Sequence, residues 1–168
     1  VWDSLRGPED IAASYHASIA DPSAEGALVG YWTFDDFNPN GEFFDGTSND
    51  QSAFTGGGVP FDGFAPVAVF DGADQINSTG PVSLGSHSIE LMVAPDTFQT
   101  TPPIMGLFST NDGGGAFVSI LRLASRQVQV TIDDGGSSST LTSSVQLPDG
   151  AFTHVAYTYD DNTQQIKL

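Results

Sequence analysis

Two periods of hydrophobicity divide this chain of 168 residues. Near the start, Pro8-Glu9-Asp10 leads into Ile11-Ala12-Ala13-Ser14-Tyr15. A proline in a first turn with acidic residues beside it is the signature of a helix N-terminus, so one short helix is predicted there. Asp21-Pro22-Ser23 ends it. From Leu28 onward the spacing of apolar residues shifts from 3.6 to 2, the period of a strand buried on one face. In Leu28–Phe34 this alternation puts Leu28, Trp32 and Phe34 on one face and Val29, Tyr31 and Thr33 on the other. Burying the two large rings is worth several kcal/mol, on the order of 2–3 each.

Further strands are predicted at 67–70, 88–93, 104–109, 116–122, 127–132, 139–145, 153–159 and 164–168. Between them stand turn clusters such as Asp133-Asp134-Gly135-Gly136 and Asp160-Asp161-Asn162. Many short strands with hairpin turns and almost no helix predict an all-β fold, an antiparallel jelly-roll β-sandwich with one short N-terminal helix. No apolar run approaches the roughly 18 residues of a membrane span.

Charge narrows the set of partners. Four Lys/Arg against 21 Asp/Glu give −17, which argues against nucleic acid and anionic lipid surfaces. Most of the acids are Asp in loops, which serves solubility and also supplies oxygen ligands for a hard cation. The calcium candidates are Asp35, Asp45, Asn49, Asp50, Asp71 and Asp74, although none of these loops has the register of an EF-hand. The absence of cysteine removes disulfides, zinc thiolates and thiol nucleophiles together.

Five phrases in register carry a resemblance: "LVGYWTFDD", "DGTSNDQSAFTG", "VAVFDGADQI", "SHSIELMVAP" and "FTHVAYTYDDNTQQIKL". Together they resemble the laminin G-like jelly-roll domains of the concanavalin A-like lectin/glucanase superfamily. The opening "VWDSLRGPEDIAASY" is similar to the way such domains end, with a strand and a short helix. The resemblance therefore implies that residues 1–22 close a preceding domain. Residues 23–168 would then be a domain lacking its last strands, within a tandem array. It also implies a non-catalytic recognition or adhesion module at a prokaryotic cell surface or outside the cell. Its partners would be a glycan, an extracellular protein or other copies of itself, with calcium as cofactor. A building block of a fibre or surface layer, or an accessory domain of a secreted enzyme, is the alternative.

Enzymes of this superfamily set carboxylates along one strand, and glycoside hydrolysis needs two. Here the corresponding strand, Ser88–Val93, holds only Glu90, which is expected to be a sheet-face residue bonded to its neighbours. No nucleophile elbow accompanies His16, His87 or His154, and His154 is expected to be structural. Asn77-Ser78-Thr79 is a glycosylation sequon. The loop phenylalanines, Phe43, Phe44 and Phe54 among them, are expected to plug the core rather than stack on sugars.

Overall fold

The computed structural model describes residues 1–15, 17–34, 42–56, 75–78, 85–96, 105–111 and 115–168. The chain forms two compact units, Ile19–Pro81 and the combination of Val1–Ser18 with Val82–Leu168.

The larger unit begins with α1, Pro8–Ser14, capped by Gly7, whose N–H donates to the Asp10 carboxylate at 3.2 Å. Its strands are β4 (His87–Val93), β5 (Met105–Asn111), β6 (Phe117–Arg122), β7 (Gln127–Asp133), β8 (Ser138–Gln146), β9 (Thr153–Asp160) and β10 (Gln165–Lys167). They form two antiparallel sheets, one in the order β5-β6-β7-β8 and a smaller one in the order β10-β9-β4. All seven coincide with predicted strands to within two residues at either end, because each combines alternation with flanking turn residues.

The core lies between these sheets. Val118 and Ile120 of β6 and Val128, Val130 and Ile132 of β7 form one side; Ile89 of β4 and Val155, Tyr157 and Tyr159 of β9 form the other, with Leu147 added. The burial of β7 alternates residue by residue, as expected of a strand with one face in a core. Two basic side chains, His87 and Arg122, are buried in this unit. His87 is fully buried, its Nδ1–H donating to the Gly85 carbonyl (2.6 Å) and its Nε2 accepting from the Tyr157 hydroxyl (2.6 Å). Arg122 is fully buried as well and ion-pairs with Asp149, which Arg126 also engages.

Residues 1–14 act as a strap on the small sheet. Trp2 and Ser88 exchange both backbone hydrogen bonds, at 2.8 and 3.0 Å, so the strap extends the sheet at the edge of β4 that β9 does not use. This is the segment in which the sequence resembles the close of a preceding domain.

The smaller unit holds β1 (Glu42–Phe43), β2 (Ala53–Gly56) and β3 (Gln75–Ser78) in one antiparallel sheet. None of the three was predicted as a strand; Phe43 is buried, as a core plug should be, whereas Phe44 and Phe54 are exposed. The predicted strand at Leu28–Phe34 is corrected. Leu28 makes only an isolated bridge, the next residues are irregular, and Phe34 has a left-handed φ of 60°. The cause is local competition for the backbone: the Asp45 carboxylate accepts the Tyr31 N–H at 2.9 Å, and the Gly46 N–H donates to the Tyr31 carbonyl at 2.9 Å. The two rings are still partly buried. Trp32 donates from its indole to the Gln51 carbonyl (3.0 Å), and Phe34 meets Phe43 edge to face at 5.1 Å. The predicted strand at 67–70 lies outside the described residues.

Candidate functional site

Alternation decides which side chains of the small sheet face away from the core. On β9, Val155, Tyr157 and Tyr159 point inward, so His154, Ala156, Thr158 and Asp160 line the outer face. Register places Met92 beside His154 and Glu90 beside Ala156 on β4, and Lys167 beside Thr158 and Gln165 beside Asp160 on β10. The strap crosses this face and leaves a cleft of about 750 Å³. One wall is strap and helix, with Leu5, Pro8, Ile11 and Tyr15; the other is β9 and β10, with His154, Thr158, Asp160, Gln165 and Lys167.

Glu90 holds the walls together. One carboxylate oxygen receives Arg6 and the other faces His154 Nε2 at 3.2 Å. Arg6 also donates to Ser14 Oγ at 3.0 Å and to the Asp10 carbonyl at 2.9 Å, and its guanidinium sits 4.4 Å from the Trp2 ring centroid. The Arg6 N–H donates to Ser88 Oγ, which in turn donates to the Ser4 carbonyl. The His154 ring meets Tyr15 at 5.6 Å between centroids. Glu90 is therefore the neighbour-bonded residue expected, and His154 is partly buried on the outer face. His16 is outside the described residues. Tyr15 remains 41% exposed at the cleft. At the far end of the cleft, Asp160 is held below the usual carboxylate range, chiefly by the Thr163 hydroxyl (2.8 Å) and further by the Asn162 N–H (3.0 Å).

The predicted calcium ligands are not brought together among the described residues. Asp35, Asp71 and Asp74 lie outside them. Asp45 is buried and its carboxylate already accepts four hydrogen bonds: Tyr31 N–H and Thr47 N–H on Oδ1, and Thr47 Oγ–H and Gln51 N–H on Oδ2. An ionised carboxylate has about four acceptor sites, so Asp45 as placed staples its own loop and offers a cation nothing. Burial alone would push its pKa up, but these bonds outweigh it and hold the carboxyl below its ordinary value. Asn49 donates from Nδ2 to the Val29 carbonyl at 3.3 Å, a bond that does not involve its Oδ1, and Asp50 is exposed with a left-handed φ of 51°. No group of three His, Cys, Asp or Glu able to hold a metal occurs among the described residues.

Residues 70–168, more than half of the chain, match the laminin G family model of the concanavalin A-like lectin/glucanases superfamily. The chain belongs to that family. No curated protein and no solved structure matches it. Laminin G-like domains are in general carbohydrate- or protein-binding modules. No described helix is long and apolar enough to cross a membrane.

Proposed function

We propose that this chain is a non-catalytic recognition module that binds a glycan in the cleft between the N-terminal strap and strands β9 and β10. The observation that carries the reading is a cleft that places a partly exposed aromatic residue, Tyr15, with the hydroxyl of Thr158, the carboxylate of Asp160, the amide of Gln165 and the ammonium of Lys167, which between them supply donors and acceptors. Sugars present apolar C–H faces that stack on rings and hydroxyls that need donors and acceptors nearby.

Catalysis is disfavoured by spacing. The carboxylates on this face are Glu90 and Asp160, and Glu90 stands opposite Ala156, four residues from Asp160. That is roughly 13 Å along a strand, beyond the roughly 5–9.5 Å that separates the two carboxyls of a glycosidase. Glu90 is moreover tied to Arg6 and His154.

The same reading puts the module outside the cell, at a prokaryotic surface, within a larger repetitive protein; the absence of cysteine and the charge of −17 support that setting. Calcium stays a proposal for the loops of Asp35, Asp71 and Asp74, and a melting temperature unmoved by chelator would end it. The binding proposal is tested on a glycan array followed by calorimetry with the full chain. Saturable binding that falls about tenfold or more in Tyr15→Ala is expected. A chain that binds no glycan, or a Tyr15→Ala variant that binds as well as the parent, refutes it.

A further inference from the structure

Asn77-Ser78-Thr79 is the only place in the chain where an asparagine stands two residues before a serine or threonine, and it shares no residue with the cleft. So short a pattern often arises by chance, and its surroundings decide what it is worth. Asn77 lies in β3, which pairs with β2 in the register that sets Phe54 directly opposite it. Alternation carries both side chains outward. Ala53, the neighbour of Phe54, is buried, whereas Phe54 is 39% exposed and Asn77 is exposed as well. Directly opposed residues of an antiparallel pair have their Cβ atoms about 4.5–5.5 Å apart. A sugar ring joined to the Asn77 amide therefore starts beside an aromatic ring that is already turned to water. Thr79 lies outside the described residues and enters through its place in the sequence alone.

We propose that Asn77 carries a covalent N-linked glycan and that Phe54 is the platform on which its first sugar packs. The donor is an oligosaccharide held through its anomeric carbon on a lipid diphosphate, supplied with a transferase by the secreting cell. Asn77 Nδ2 bonds to that carbon, and the bond from the carbon to the diphosphate oxygen breaks. The lipid diphosphate leaves with the electron pair, one amide proton goes to solvent, and nothing is oxidised or reduced. Attachment disturbs no packing, because the Asn77 side chain stands outside the core. Once attached, the apolar C–H face of the sugar covers a ring that water otherwise wets. Among the described strands β3 is also the edge of its sheet. A bulky, solubilising group on that strand hinders another chain from pairing with it.

The test is intact-mass analysis of the full chain secreted from a host whose secretory pathway attaches N-glycans. A single oligosaccharide increment per chain is expected, absent in Asn77→Gln and Thr79→Ala and present again in Thr79→Ser. Amide hydrogen exchange then reads the packing. The β2 and β3 amides should exchange about threefold or more slower in the glycosylated chain than in the same chain made by a host without the transferase. That difference should vanish in Phe54→Ala, which keeps the increment, and survive in Phe54→Tyr. Each comparison is made within one variant, so a general loss of stability from the substitution cancels. A chain secreted without an increment at Asn77, or an exchange difference that Phe54→Ala leaves intact, overturns the proposal. Either result leaves the reading of the cleft untouched.

Discussion

Replacing Arg6 with alanine should release the strap from the small sheet while the sandwich stays folded. The strap's other anchors lie near its start, where Val1 packs against the core and the backbone of Trp2, Ser4 and Arg6 bonds to Ser88. None of the residues of α1 is buried, and a helix of seven residues is far below the 12–15 needed for even marginal stability alone in water. Arg6 bonds the Glu90 carboxylate, Ser14 Oγ and the Asp10 carbonyl, and lies against Trp2. The ion pair is mostly sheltered, its side chains 13% and 15% exposed, so bulk water screens it only in part. A hydrogen bond to a charged group contributes about 1.5–3 kcal/mol and a partly exposed cation–π contact about 0.5–1. Together the loss comes to roughly 2–4 kcal/mol of docking free energy. Amide hydrogen exchange reads it directly. The Trp2 N–H bonded to Ser88 and the Tyr15 N–H bonded to Ile11 should exchange about 30- to 700-fold faster. The amide of Val130, in the middle of the larger sheet, should keep its rate. Since the strap is one wall of the cleft, glycan affinity should fall in parallel. Unchanged protection at Trp2 and Tyr15 in Arg6→Ala would refute the claim that this residue holds the wall in place.

Two further outcomes follow from groups outside the cleft. Burial holds the His87 imidazole below its usual range, outweighing the opposing pull of the Gly85 carbonyl and the Asp161 charge; the unfolded chain therefore takes up the proton first. Stability from this group is complete above pH 6.5 and is lost as pH falls from there through the lower folded value. Urea midpoints measured between pH 8 and pH 5 should fall, less steeply in His87→Gln, and Tyr157→Phe, which leaves the Nε2 without its donor, should cost about 1–3 kcal/mol; a midpoint flat with pH would count against the buried neutral imidazole. In the smaller unit, Asp45→Asn replaces an acceptor of four bonds with a group that accepts on one side only. The Tyr31, Thr47 and Gln51 amides should exchange faster, by an amount corresponding to about 2–4 kcal/mol, and rates equal to the parent's would contradict the staple.

The sequence showed different parts of this molecule to different depths, for reasons that lie in range of interaction. β6 to β10 were legible because each combines an alternating face with turn residues at both ends, and both signals are local. Leu28–Phe34 alternates equally well and still is not a strand. Its backbone is taken by the carboxylate of Asp45, and no periodicity in 28–34 encodes a side chain fourteen residues away. β1 and β3 are two and four residues long, too short for a period of 2 to show. The calcium candidates were chosen for what an aspartate can do with two free oxygens, yet Asp45 has none to spare. Composition cannot distinguish a carboxylate that faces a cation from one that stitches a loop.

The cleft was hidden and yet half written. "FTHVAYTYD" read as one strand puts Phe152, His154, Ala156, Thr158 and Asp160 on a common face, and the tight turn after it brings Gln165 and Lys167 alongside. The helix of the other wall was legible but its docking was not, because Arg6 reaches Glu90 across 84 positions. That bond also explains why Glu90, the lone acid on a strand where related enzymes place catalytic carboxylates, has a different use. With Arg6 on one oxygen and His154 on the other, its charge is spent on fixing a wall. A binding surface gains from that rigidity, because a preorganised cleft has less to order when the ligand arrives.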